Sequence, residues 1–214
     1  MPFGTQLDVY SDGYEWINHS IRAISFSKVD ENPKVTIGSS QCEKPYQASL
    51  FNISAMSYGS LSKNAILALN NGAKLGGFYH NTGEGGLSSY HLQGGDVVWN
   101  IGTGYFSCRN SDGTFSYDQY AKRAHIDSVK MIEIKFSQGA KPGHGGILPK
   151  EKVTDEIAAI RLVDKGHDII SPPSHSAFST PLELMEFLKL LRNGSGGKPI
   201  GMKICIGSKS EFLS

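Results

Sequence analysis

The sequence predicts an α/β protein built from parallel βα units. Two observations carry that reading. Between residues 48 and 207, apolar runs of strand length alternate with segments of helical periodicity. The loops richest in glycine and polar residues follow the strands, which is where parallel α/β folds place their sites. Four or five strong strands are legible. A closed (β/α)8 barrel has eight, in about 250 residues, so the chain is expected to represent the N-terminal part of a TIM barrel.

Residues 1–46 read as an irregular lead-in and 47–214 as the barrel part. Within the lead-in, YEWINHSI (14–21) suits a short helix and KVTIG (34–38) a short strand. ASLFNISAM (48–56) is the first strong strand, and a helix follows over roughly 61–72. Leu61, Ala65, Ile66, Ala68 and Leu69 share one face of it, and Ser60 or Ser62 can cap it. GGFYHNTG is a short strand plus loop, 97–107 another strand, and 115–125 a helix. MIEIKF (131–136) is a buried strand that runs into SQGAKPGHGG. Thr154 caps a helix whose first turn holds Asp155 and Glu156 and which continues through IAAIRLV. DIIS (168–171) is a short strand stopped by Pro172 and Pro173. Thr180-Pro181-Leu182-Glu183 is a capping box with Pro at N1, opening a helix that ends near Asn193-Gly194. PIGMKICIG (199–207) is the next strand, and SKSEFLS begins a helix.

Composition narrows the function classes. Of 214 residues 39% are hydrophobic and 19% charged, an ordinary globular balance. The net charge of +1, without a Lys/Arg block, argues against a nucleic-acid partner. No apolar stretch is long enough to span a bilayer and the start lacks a signal-peptide pattern, so a cytoplasmic protein is expected. Cys42, Cys108 and Cys205 are odd in number and far apart, against both a disulfide framework and a Cys-ligated cluster. The 25 glycines cluster at GAKLGG (72–77), TGEGG (82–86), GAKPGHGG (139–146) and NGSGGK (193–198). Such clusters let the backbone approach a ligand closely or turn with positive φ.

Four places can carry chemistry. SAMSYGS (54–60) suits a strand-to-helix turn, and its backbone groups could also hold a flat heteroaromatic ring. NTGEGG sets the lone carboxylate Glu84 among glycines. IKFSQGAKPGHGG puts Lys135 at a strand end and Lys141 with His144 in a Gly-rich loop; the cations and free N–H groups suit an anion, and a solvated loop is an equal reading. Lys203 alternates with Met202 and Ile204 in an apolar strand and must find a partner or a ligand. Arg161, inside a helix, reads equally as a surface residue.

Taken together and in order, AMSYGSLS, NTGEGG, IEIKFSQGAKPGHGGILP, IAAIR, ISPPSHS and MKICIG resemble the FMN-binding barrel domain of glutamate synthases, and more closely the single-domain FMN-binding proteins of that family. The resemblance covers about residues 46–214. It implies FMN as cofactor, with Ala55, Met56, Ser57, Tyr58 and Gly59 lying against the flavin and Lys203 facing its N1/O2 edge. It implies Glu84 and Lys135 near the reaction centre. It assigns the carboxylates of 2-oxoglutarate, or of a similar small dicarboxylate, to Lys141 and Arg161, with His144 in the same loop. The implied chemistry is hydride transfer from reduced flavin to C2 of 2-iminoglutarate, giving glutamate; the protein supplies positioning and electrostatics.

The chain departs from the pattern in four ways. Large glutamate synthases resemble GAKPGEGGQLP where His144 and Ile147 stand here, and PHHDIYS where Ser176 and Ala177 follow His175. These changes leave open another 2-oxo or 2-amino acid as substrate. The glutaminase nucleophile and the iron–sulfur cysteines have no counterpart, so no iron–sulfur cluster is expected, and the electron donor is unassigned. The Gly-rich loops that hold the FMN phosphate fall after residue 214 in the family pattern, which makes weak flavin binding, or a non-catalytic fragment, a further expectation. Open sheet edges imply self-association or a missing C-terminal half.

Overall fold

The computed structural model describes residues 8, 10–15, 21–22, 24–136, 138 and 143–213. It divides into two compact units, Met1–Asn32 and Pro33–Ser214. The described part of the first holds a 3-10 turn at Phe26–Lys28. The helix expected over 14–21 falls largely on residues outside the described ones.

The second unit opens with a hairpin. β1 (Lys34–Ile37) and β2 (Tyr46–Ser49) pair antiparallel, Lys34 opposite Ser49 and Ile37 opposite Tyr46. The central sheet follows, formed by β3 (Tyr79–Asn81), β4 (Asp96–Ile101), β5 (Val129–Lys135) and β8 (Ile200–Lys203). All neighbours are parallel and the spatial order β3-β4-β5-β8 is the chain order. α1 (Lys63–Gly76) leads into β3, α2 (Tyr117–Ala124) joins β4 to β5, and α4 (Pro181–Gly194) precedes β8. Between β5 and β8 the chain also makes β6 (Ile147–Leu148), α3 (Asp155–Arg161) and β7 (Ile169–Ile170), and α5 (Lys209–Leu213) comes after β8.

The helix ends follow their sequence signals. Ser62 and Thr154 accept from the N–H of Ala65 and Ile157. Thr180 and Glu183 form the complete capping box. α3 ends at Arg161, short of the expected Val163, because Leu162 takes a left-handed conformation with φ 58°.

Two expected strands are shorter than their runs, 97–107 ending at Ile101 and 199–207 at Lys203, and two more are corrected in kind. The run 48–56 is not one strand. Its start closes the hairpin, Leu50 and Phe51 are exposed, and the chain then makes a single parallel bridge, Ile53 to His80. Ile53 N donates to Tyr79 O (2.9 Å), Asn81 N to Ile53 O (3.0 Å) and Met56 N to Asn81 O (3.1 Å). The cause is Asn52, whose side chain accepts from Tyr79 N (3.2 Å) and donates to Ser49 O (2.7 Å), competing with a longer ladder. The segment nonetheless runs parallel to β3 on its free side. DIIS, in turn, contributes only Ile169 and Ile170, and they pair antiparallel with β6, away from the central sheet.

The sheet has two chemically different faces. Val97, Trp99, Ile101, Ile132 and Ile134 pack against Tyr120 and Ala124 of α2 and Phe187 and Leu191 of α4. Trp99 stacks on Tyr120 (centroids 5.6 Å, 20°), whose hydroxyl donates to Leu191 O at 2.7 Å. Side chains alternate along a strand. The opposite face therefore carries Asn81, Asn100, Glu133 and Lys135, and the amides of Asn81 (3.0 Å) and Asn100 both donate to Glu133 Oε1. A smaller core joins Phe106, Leu148, Val153, Ile157, Ala158 and Ile169. Among the described residues, no helix is long and apolar enough to cross a membrane and no metal-ligand cluster occurs.

Candidate active site

β5 delivers Lys135 to its C-terminal end, and the loop after β3 carries Glu84 to the same place. Lys135 Nζ stands 3.2 Å from Glu84 Oε1 and donates to Gln138 Oε1 at 3.0 Å. Gln138 Nε2 closes the triangle by donating to Glu84 Oε1. The Lys135 and Glu84 side chains are 15% and 23% exposed, so the charges are partly desolvated yet reachable. They line a small cleft together with Thr103, Gln138, His144 and Pro172. Gly102 lets the wall approach the carboxylate: a Cβ there would lie 2.8 Å from Glu84 Oε2 and 3.0 Å from its Cβ, and would displace the side chain. Thr103 Oγ1 donates to Pro172 O at 2.6 Å and ties two walls together.

A neutral histidine sets the strand end. His175 Nε2 lies 2.9 Å from the Lys135 carbonyl, Nδ1 lies 3.0 Å from the Tyr105 hydroxyl, and Ala177 N donates to that hydroxyl at 3.1 Å. A carbonyl can only accept, so Nε2 carries the proton and Nδ1 accepts from Tyr105. Burial pushes the His175 pKa down, which the Lys135 contact only partly offsets. Its ring stacks on Phe178 at 4.9 Å.

The loop 55–59 lies half-buried beside this group. His91 Nε2 donates to Met56 O (3.1 Å), since Ser88 N–H occupies Nδ1 (3.3 Å). Burial holds the His91 pKa at about 4. Ser57 faces the Glu84 loop: Gly83, at φ +64°, has room for no Cβ, which would meet Ser57 Oγ at 2.4 Å. The hydroxyls of Tyr58 and Tyr90 both donate to Glu156 and hold its carboxyl below the usual range. The two rings meet edge-on at 5.0 Å.

The other expected site residues fall as follows. Arg161 is 6% exposed, lies 4.8 Å over the Phe106 ring and reaches Tyr58 O at 3.4 Å, beneath the loops rather than in the cleft. Desolvation lowers its pKa to about 10, partly offset by Glu84, so it stays charged at neutral pH. Lys203 is the parallel register partner of Lys135 and shares its face of the sheet. It is exposed and, among the described residues, forms no side-chain hydrogen bond or ion pair. His144 is exposed at the cleft. Lys141 lies outside the described residues.

Sequence reasoning missed Gln138, Glu133 and Tyr105. The signal for Glu133 was present: in IEIK it alternates with Lys135 and must share its face. Gln138 gave none, because its role depends on a loop turning back over Glu84. Tyr105 reads as an apolar residue until His175, far along the chain, meets its hydroxyl.

Comparison with known proteins identifies the family. A family model, the conserved region in glutamate synthase, matches residues 5–213. The chain is 46% identical over 179 residues to the glutamate synthase large subunit-like protein YerD of Bacillus subtilis, covering 82% of this chain and 34% of that protein. It is 36% identical over 152 residues to an archaeal-type glutamate synthase (NADPH) of Thermotoga maritima, covering 70% and 27% respectively. Against the glutamate synthase (NADPH) large chain of B. subtilis, identity is 32% over 161 residues, 72% of this chain and 10% of that one. The chain thus spans about a third or less of these relatives, and with its conserved region matched almost from end to end, it belongs to the glutamate synthase family.

Proposed function

We propose that this chain supplies the reaction-centre half of a glutamate synthase-type flavin oxidoreductase, and that residues 47–214 are the first units of a (β/α)8 barrel. The order of the parallel segments supports the barrel: the 53–56 stretch, β3, β4, β5 and β8 follow chain order, with helices on one face and polar side chains on the other. Residues 1–46 are then a lead-in. The observation that carries the functional reading is the Lys135–Glu84–Gln138 triangle beside Lys203 at the strand ends.

These residues fit FMN. Two lysines share one face and, among the described residues, only one of them has a carboxylate partner, which leaves positive charge for the electron-rich edge of a reduced ring. Lys203 and the loop of Ala55, Met56, Ser57, Tyr58 and Gly59 are the groups that would hold it. When bound, FMN would supply the hydride for C2 of 2-iminoglutarate. The chain's own part is binding and orientation. Lys135 spends one N–H donor on Gln138 and is paired by charge with Glu84, which leaves N–H donors for a substrate carboxylate. Gln138 likewise keeps one amide hydrogen for it. Glu84 fixes both donors and prevents Lys135 from swinging away. Arg161 and Lys141 are the proposed further ligands of a small dicarboxylate such as 2-oxoglutarate. Arg161 adds positive potential from below, and direct contact requires the 57–59 loop to lift.

Two findings favour a second reading, another 2-oxo or 2-amino acid. His144 sits at the cleft, and Ile147, where large glutamate synthases resemble Gln, is 60% exposed and paired with Ile170. Completion of the sheet edges by self-association or by further chain is proposed as well.

Titration of the 214-residue chain with FMN, followed by quenching of flavin fluorescence, tests the reading. We expect weak binding that Lys203→Met weakens by about tenfold or more, the loss of one charge-assisted contact. With FMN present, 2-oxoglutarate should bind in competition with other 2-oxo acids. Quenching indifferent to Lys203→Met, or no quenching up to millimolar FMN, would overturn the cofactor assignment.

A further inference from the structure

At the opposite end of the sheet, where the strands begin, a cavity of about 290 Å3 is lined by Lys44, Tyr46, His125, Asp127, Lys130 and Lys198. Lys198 is only 8% exposed. Its Nζ donates to Ala124 O (2.6 Å) and Ile126 O (2.9 Å) at the end of α2, leaving a third N–H. Burial, with the charges of Lys44 and Lys130, pulls its pKa down to about 8. Two carboxylates lie nearby, Asp127 on the cavity wall itself, where its charge partly offsets the fall in the Lys198 pKa. Asp127 and Asp96 face Lys130 at 3.5 and 3.9 Å, and Asp96 also accepts from Tyr46 at 2.8 Å. Glu43 rests against Gly197. Lys44 and Lys198 form no ion pair among the described residues.

Lys44 and His125 converge on one point: Lys44 Nζ and His125 Nε2 each come within 3.3 Å of where a Cβ on Gly196 would stand. His125 Nδ1 donates to the Ala121 carbonyl at 2.8 Å, so Nε2 is its free ring nitrogen, a donor to an anion in the imidazolium form and an acceptor in the neutral one. Helix capping accounts for Lys198, and ion pairing for Lys130. Neither accounts for Lys44 and His125 meeting beside a buried lysine.

We propose that this cavity binds a small divalent oxyanion, a phosphate group either free or at the end of a small metabolite, held by Lys44, His125 and Lys198. The anion offsets the mutual repulsion of the lysines. It also cross-links three stretches, the β1–β2 hairpin, the end of α2 and the entry to β8, of which the first and last are otherwise joined by Lys44 N to Gly197 O (3.1 Å). Ligand binding to the folded state alone raises its stability. The site lies at the other end of the strands from Glu84 and Lys135 and does not depend on the flavin reading.

Thermal unfolding of the 214-residue chain across a series of inorganic phosphate, with chloride holding ionic strength constant, tests this. We expect a saturable rise in Tm, and an apparent Kd about tenfold weaker in Lys44→Gln, an exposed substitution that relieves the repulsion and so does not lower the unliganded Tm. His125→Gln should weaken it as well, and Lys203→Gln, at the far end of the sheet, should not. A glycerol phosphate arm separates the sources: tighter binding than phosphate marks a metabolite end group, equal or weaker binding marks the free ion. No saturable rise beyond chloride, or a rise that survives both Lys44→Gln and His125→Gln, would overturn the proposal.

Discussion

At the scale of single residues, the candidate site is a set of interlocked positions rather than a row of independent groups. Glu84 serves Lys135 and Gln138 at once, so Glu84→Gln should cost far more in catalysis than in stability. A partly exposed ion pair contributes about 0–1 kcal/mol to folding. Turnover to glutamate, measured in a protein that carries this chain with its flavin, should fall about a hundredfold while Tm moves by only a few degrees; equal turnover would remove Glu84 from the reaction centre. His175 makes the opposite case. His175→Phe deletes two buried hydrogen bonds and leaves the Tyr105 hydroxyl short of an acceptor, a loss of about 1–3 kcal/mol. A shift of the urea midpoint at constant m-value checks it, and His175→Asn should not restore the full bridge, having a shorter reach.

At the scale of elements, two buried rings make the sheet edge sensitive to acid. His80, on β3, is fully buried with both ring nitrogens unpartnered among the described residues, and its ring lies 5.2 Å from His91. Desolvation, helped by the neighbouring ring, lowers the His80 pKa to about 4, as burial does for His91. In the unfolded chain both return to about 6.5, so the unfolded state binds more protons between those values. Stability is therefore whole above pH 6.5, falls as pH drops toward 4, and levels below it. The contribution is at most about 3 kcal/mol per ring. Urea midpoints measured from pH 7.5 to 4 should fall steeply, and His80→Leu should flatten the curve; an unchanged slope would show that these rings do not govern it. Helix α4 offers a cleaner local test. Glu183 accepts from Ser179 N (2.7 Å), Ser179 Oγ (2.8 Å) and Thr180 N (3.0 Å), and Thr180 Oγ1 accepts from Glu183 N. Thr180→Ala should cost about 1 kcal/mol, read from thermal unfolding.

The capping box was legible in the sequence because its four residues are adjacent and its chemistry is local. Thr154 was legible for the same reason, and Ser62 was one of two candidates with Ser60; the joint face of Lys135 and Lys203 needed the register between their strands. What escaped depended on distant partners. The break in 48–56 rests on Asn52 capturing Tyr79 N, and Ile169–Ile170 leave the sheet to pair with Ile147–Leu148, some twenty residues earlier in the chain. Arg161 reads as a surface helix residue until Phe106 and Tyr58 close over it.

At the scale of the whole molecule, β8 has no partner on its outer side among the described residues, and Met202, Ile204 and Ile206 there are 51%, 38% and 53% exposed. An uncovered edge with apolar side chains recruits further strands. Sedimentation velocity across a concentration series should show the isolated chain associating, and replacing Met202 and Ile204 with lysine should return it to monomer. A monomer at all concentrations would show that the edge is blunted by other means.

The spatial order of the sheet also has a consequence during synthesis on the ribosome. β4 pairs with β3, and β5 with β4, soon after each emerges, because each partner is the strand made just before it. β8 breaks that rhythm, for β5 ends at Lys135 and its last neighbour begins only at Ile200. At about 5–20 residues per second, the growing chain carries β5 with a bare edge for roughly 3 to 13 seconds. Slow codons across 136–199 would lengthen that interval, and soluble yield should be more sensitive to translation speed there than anywhere earlier in the message.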